Sequence, residues 1–142
     1  LAPVGCLTSV EPQPHHWKDI QRGTEILAAL STYDIGQAII VQQGLVLGIE
    51  AIEGTEDLIR RCGALKRIGL AGTLIKIAKI AQDQRIDLPT VGIETLYQLK
   101  DTGLAGLAIS AGTTQILDRT AFIEEANRLN LFVVGLERCK GK

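Results

Sequence analysis

A chain of 142 residues has room for one domain of ordinary size, and its 46% hydrophobic content with a formal net charge of −1 excludes intrinsic disorder. Two Phe, two Tyr and one Trp are too few for an aromatic core, so the interior must be built from Ile, Leu, Val and Ala. The 15 Lys and Arg nearly balance the 16 Asp and Glu without a polybasic run, which excludes the footprint of a nucleic-acid binder, and no apolar run approaches the roughly 20 residues of a membrane span.

The N-terminus lacks a basic region leading into an apolar stretch, so no signal peptide is visible and a cytoplasmic protein is expected. Cys6, Cys62 and Cys139 are odd in number and far apart, which suits reduced thiols better than a disulfide framework or a zinc site. The chain starts at Leu1 and contains no Met, which suggests that an N-terminal portion is missing.

Leu1 to Pro14 is Pro-rich and aperiodic, and it reads as an extended linker remnant ahead of a domain at 15–142. Trp17, Ile20, Ile26, Leu27 and Leu30 recur at helical spacing, broken around Gly23, and predict an amphipathic helix from about His16 to Leu30. Gly36 to Val41 and Leu45 to Ala51 flank the turn Gln42-Gln43-Gly44 and predict a hairpin. Thr55 reads as the cap of a short helix that runs to about Arg61, with acidic residues in its first turn and Arg60 and Arg61 in its last.

Gly72 to Ile80 predicts a strand, followed by a polar loop from Ala81 to Pro89. A helix is expected over Thr90 to Leu99 with Gly103 as its stop, then a strand over Gly106 to Ser110, a turn over Ala111 to Thr113, and a short returning strand over Gln115 to Leu117. Asp118 is placed to cap a helix from Arg119 to Leu129, and Leu131 to Leu136 reads as a buried last strand. Alternating helices and apolar strands imply an α/β fold: a single layered domain with a mixed, mostly aliphatic β-sheet covered by helices.

The sequence lacks a G-x-S-x-G elbow, a dinucleotide fingerprint and a P-loop, and its two histidines, His15 and His16, are adjacent in the Pro-rich lead-in. Carboxylate chemistry remains. Gln82, Asp83, Arg85 and Asp87 share one loop after the strand that carries Lys76, and loops at strand carboxyl ends are where open α/β sheets bind ligands. Asp83 and Asp87 can share a hard divalent cation while Lys76, Lys79 and Arg85 take phosphate oxygens; the plainer reading is a solvated loop with a surface ion pair. A second group is Gln42, Gln43, Glu50 and Glu53. Glu50 follows an unbroken apolar strand, so it needs a cation, a donor or a proton, whereas Glu53 also reads as a charge favoured by a helix N-terminus. Gly112-Thr113-Thr114 can offer backbone N–H groups to a phosphate or form an ordinary turn.

The blocks D-I-G-Q-A-I-I-V-Q-Q-G-L-V-L-G-I-E-A-I-E-G-T-E-D-L-I-R-R-C-G (34–63), L-I-K-I-A-K (74–79), Q-D-Q-R-I-D-L-P-T-V-G (82–92) and L-F-V-V-G-L (131–136) resemble the C-terminal domain of the LpxI-type UDP-2,3-diacylglucosamine pyrophosphatases. The resemblance covers nearly the whole chain. It implies a metal-dependent hydrolase of lipid A biosynthesis that splits UDP-2,3-diacylglucosamine into UMP and 2,3-diacylglucosamine 1-phosphate with Mg2+. The family's catalytic aspartate falls on Asp83 or Asp87, which also stand as metal ligands, Asp83 being the first choice. Substrate contacts are expected at Lys76, Lys79, Gln82, Arg85, Gln43, Glu50, Glu53 and Thr113. The resemblance further implies an additional N-terminal domain, a homodimer and transient peripheral contact with the inner membrane, and a domain parted from its neighbour should keep an exposed apolar surface where that neighbour packed. The alternative is a non-catalytic domain that binds a nucleotide-sugar lipid or mediates dimerisation, and a third is a purely structural α/β module.

Overall fold

Strands whose residues are almost all aliphatic need cover on both faces. The computed structural model describes residues 1–78 and 88–137, and within them four helices cover a mixed six-stranded sheet. In chain order the elements are β1 (Gly5–Cys6), α1 (Pro14–Leu30), a 3-10 turn (Ser31–Tyr33), β2 (Ala38–Gln42), β3 (Leu45–Ile49), α2 (Thr55–Cys62), β4 (Thr73–Lys76), β5 (Thr90–Val91), α3 (Ile93–Asp101), β6 (Gly106–Ser110), β7 (Gln115–Ile116), α4 (Arg119–Arg128) and β8 (Phe132–Leu136). The sheet order is β1-β8-β6-β4-β2-β3. Strands β4, β6 and β8 are parallel, β2 is antiparallel to both of its neighbours, and β1 is antiparallel to β8.

Side chains alternate across the sheet, and each set meets its own helices. Ile39, Val41, Ile75, Ala108, Phe132 and Val134 pack with Ile20 and Leu27 of α1. Ala38, Ile40, Leu74, Leu107, Ile109 and Val133 pack on the other face with Leu58 and Ile59 of α2, Leu96 and Leu99 of α3, and Phe122 and Ala126 of α4. Burial of each large aliphatic side chain contributes about 1.5–3 kcal/mol, so the two layers outweigh any single polar contact. The break in the apolar pattern of α1 lies tight against the sheet: a Cβ at Gly23 would stand 2.8 Å from Ile75 Cδ1.

Several local expectations change. The lead-in contributes an edge strand, β1, and buries Ala2, whose N–H donates to the Thr114 carbonyl at 2.8 Å. These anchors are mostly backbone hydrogen bonds, which any residue can make, so no side-chain period reveals them. Thr55 is the first residue of α2 rather than its cap; Gly54 takes the cap position at φ +91°. Thr90 and Val91 form β5, so α3 starts only at Ile93. Gln115–Ile116 does not fold back on β6 but pairs in parallel with β5. Asp118 occupies the cap position of α4 without making a side-chain cap bond.

His16 belongs to the fold. It is buried, its ring lies 5.0 Å from that of Phe132, and its Nδ1 accepts the Gln13 N–H at 2.9 Å. Burial, helped by the neighbouring His15 charge, lowers its pKa from 6.5 to about 4. A depressed folded pKa means that this contribution to stability is present above pH 6.5 and is lost as pH falls towards about 4. Urea unfolding at pH 7 and pH 4.5 should therefore show a larger acid loss in the parent than in His16→Gln, which keeps an acceptor but cannot titrate. Equal losses would contradict the assignment.

Candidate active site

Topology creates one polar edge on this apolar sheet. Strands β4, β6 and β8 all end there, β2 begins there with Ala38 opposite Lys76, and β3 ends there with Ile49 opposite Ile39. Equal strand lengths in the hairpin thus deliver Glu50 to the edge that carries Lys76. The Glu50 N–H holds it in place by donating to the Ala38 carbonyl at 2.8 Å.

A pocket of about 540 Å³ opens at this edge, lined by Asp34, Ile35, Gly36, Gln37, Glu50, Ala51, Ile52, Gly54 and Lys76. The Glu50 carboxylate accepts the Gln37 N–H on Oε1 at 2.7 Å and the Thr55 hydroxyl on Oε2 at 3.2 Å. These donors answer its need for partners in a half-buried position. Lys76 is half-buried too; burial pushes its ammonium below the usual lysine range, and the Glu50 charge partly offsets that. The pocket wall at 34–37 sits tightly on Glu50, because Gly36 has φ +24° and a Cβ there would fall 2.0 Å from the Glu50 carbonyl oxygen.

The backbone after β4 is held from both sides. Ile77 N–H donates to the Gln37 carbonyl at 2.9 Å, and Ala78 N–H donates to Ser110 Oγ at 3.0 Å. Ser110 Oγ also accepts the Thr113 hydroxyl at 2.9 Å and lies 3.0 Å from Thr114 Oγ1.

Residues 3–134 match the profile of the LpxI C-terminal domain. The chain belongs to the LpxI C-terminal domain family. It is 40% identical over 141 residues to the UDP-2,3-diacylglucosamine pyrophosphatase LpxI of Caulobacter vibrioides, with 95% of this chain and 50% of that protein covered. The chain therefore spans about half the length of the curated relative it matches.

Within this LpxI domain the predicted site residues separate. Lys76 and Glu50 line the common pocket, and Thr113 lies in the loop after β6, tied to the backbone beyond β4 through Ser110. Glu53 stands nearby but is engaged by the Ala51 N–H at 3.0 Å and by Arg61 at 3.2 Å; the former chiefly, and the latter as well, hold its carboxyl below the usual range. Gln43 is at the opposite end of the hairpin, where its Nε2 donates to the Ile68 and Leu70 carbonyls. It turns the chain at φ +54°, beside Gly44 at φ +77°. Lys79, Gln82, Asp83, Arg85 and Asp87 lie outside the described residues.

Ser110 was not legible as a site residue, since it reads as the end of an apolar strand. The signal available was three hydroxyl residues within S-A-G-T-T, which begins on the last residue of that strand. Among the described residues no helix is long and apolar enough to cross a membrane.

Proposed function

We propose that this LpxI domain holds the pyrophosphate of UDP-2,3-diacylglucosamine at the Lys76 edge and hydrolyses it to UMP and 2,3-diacylglucosamine 1-phosphate. The observation that carries the reading is a half-buried Lys76 in a pocket at the ends of parallel strands, six residues before the start of Q-D-Q-R-I-D. The name of the Caulobacter relative supplies the substrate.

Water attacks one phosphorus, the bridging P–O bond breaks, and negative charge grows on the departing phosphate oxygen. Cations that are already in place stabilise that charge most effectively, because nothing has to reorganise during the step. Lys76, Lys79 and Arg85 are the cations for this task, and Asp83 or Asp87 accepts a proton from the attacking water. Glu53 and Thr113 bear on substrate from beside the pocket, Gln82 is a further substrate contact, and Glu50 anchors the pocket wall.

Among the described residues no group of three or more His, Cys, Asp or Glu could hold a metal ion, so the Mg2+ reading rests on the chemistry of the carboxylates in the chain. Asp83 and Asp87 are the carboxylates that would hold it, and Mg2+ is commonly held by one or two carboxylates plus substrate phosphates. When bound, the ion would polarise phosphoryl oxygens and draw charge from the leaving group. This domain, the lead-in with its edge strand included, acts in this reading as the catalytic part of a longer cytoplasmic protein, which its diacyl substrate brings transiently to the inner membrane. Ile52 and Ile68, both fully exposed, support a further packing partner: the N-terminal half of LpxI proteins or a second copy.

The test uses a chain that carries the N-terminal half as well. UMP release from UDP-2,3-diacylglucosamine should proceed with Mg2+, stop on chelation and return when Mg2+ is restored. Release unaffected by chelation would remove the metal from the reading. A folded chain that binds the lipid without releasing UMP would favour the non-catalytic binding domain.

A further inference from the structure

Resting on the functional reading above, we infer that Ser110 is a positioning residue, which acts through Ala78 to fix the direction in which the chain leaves β4 and so to hold the Lys76 end of the site. The last rung of the β4·β6 ladder pairs Lys76 with Ile109. Two residues later the backbone has left that register, and a side chain takes over: Ser110 Oγ accepts the Ala78 N–H at 3.0 Å. On the other side the Ile77 N–H is already committed to the Gln37 carbonyl.

The hydroxyl is itself held by a proton inventory. A serine oxygen has two lone pairs and one proton. The Ala78 N–H and the Thr113 O–H fill the lone pairs, so the Ser110 proton is left to Thr114 Oγ1, 3.0 Å away on a fully buried side chain. With every direction used, the oxygen has one orientation, and so does the Ala78 amide bound to it.

A continuous polar belt follows. It runs from the Thr55 hydroxyl to Glu50, to the Gln37 N–H, from the Gln37 carbonyl to Ile77, and from Ala78 to Ser110. Glu50 anchors one end and Ser110 the other, with Lys76 to Ala78 strung between them. Ser110 touches no reacting atom in this account; it holds the backbone just beyond Lys76. An error of about 1 Å in such a position can reduce turnover by about a hundredfold.

The experiment compares Ser110→Ala and Ser110→Thr with the parent, in a chain that carries the N-terminal half. It measures amide exchange at Ala78, kcat and KM for UMP release, and melting temperature. Ser110→Ala should exchange the Ala78 amide about tenfold faster, the order expected for one lost hydrogen bond. It should lose about tenfold in kcat with KM within about twofold, the pattern of lost turnover rather than lost binding. Ser110→Thr, which keeps the hydroxyl, should restore both. Unchanged exchange at Ala78, or faster exchange with full kcat, would overturn the inference. So would a kcat loss that merely tracks a lower melting temperature and is not rescued by Thr. A parent that binds the lipid but releases no UMP would sink the functional reading and the positioning role with it; the exchange result would then show only whether the backbone clamp exists.

Discussion

Asp83→Asn and Asp87→Asn are each expected to leave a folded protein, and at least one of them should lose about a hundredfold or more in UMP release, the order seen when a preorganised charge-stabilising group is removed. Asn keeps the size of Asp and removes its charge, so packing is not what the substitution tests. The loss should appear in kcat, with the Kd for UDP-2,3-diacylglucosamine held by the cations and by the rest of the substrate. If one variant alone is affected, it identifies the residue that takes the water's proton. If both are affected, the two carboxylates act on one centre, which is the pattern expected of shared Mg2+ ligation. Full activity in both would remove the Q-D-Q-R-I-D segment from the chemistry.

Lys76→Met should lose about tenfold to a hundredfold in kcat/KM, because it removes the cation in the pocket while keeping the length and the apolar stem. Its stability should not fall. A half-buried ammonium is costly to desolvate, and Glu50 keeps its Gln37 and Thr55 donors without it. Lys76 also sets a sign for the pH profile. Its pKa is depressed by burial, and the charged form is the one that binds phosphate, so activity should decline on the alkaline side before ordinary lysines titrate. The Lys76→Met variant should lack that component of the alkaline limb. An unchanged rate and profile would show that the pocket cation does not meet the substrate.

What the sequence made legible follows the strength of its periodic signals. The apolar runs at 36–41, 45–51, 106–110 and 131–136 each coincide with a strand of the sheet, because short runs dominated by Ile, Leu, Val and Ala between turn residues leave few alternatives to a covered strand. The hairpin turn was legible from Gln42-Gln43-Gly44, and it is what carries Glu50 to the edge opposite Lys76. The two-residue strands β1 and β5 were not legible, since backbone hydrogen bonds alone define them, and for the strand at Gln115–Ile116 the parallel partner β5 was not legible either. Thr55 shows the limit of cap rules: its hydroxyl was expected on its own helix and instead serves Glu50, a tertiary partner that no local pattern encodes. Gln43 and Glu50 looked like one polar group in sequence and lie at opposite ends of β3, because the hairpin separates residues that flank a strand. Ser110 was missed for the converse reason. Its importance arises from a chain segment 32 residues away, met only where β4 stops pairing.

The most direct test of the account is a substrate-bound structure of the chain with its N-terminal half, using whichever of Asp83→Asn or Asp87→Asn is inactive so that UDP-2,3-diacylglucosamine survives. The account predicts pyrophosphate oxygens within about 3.2 Å of Lys76 Nζ, in the pocket between residues 34–37 and Glu50. A pyrophosphate bound at the opposite end of the sheet, near Gln43 and Leu70, or held without contact to Lys76, would contradict it.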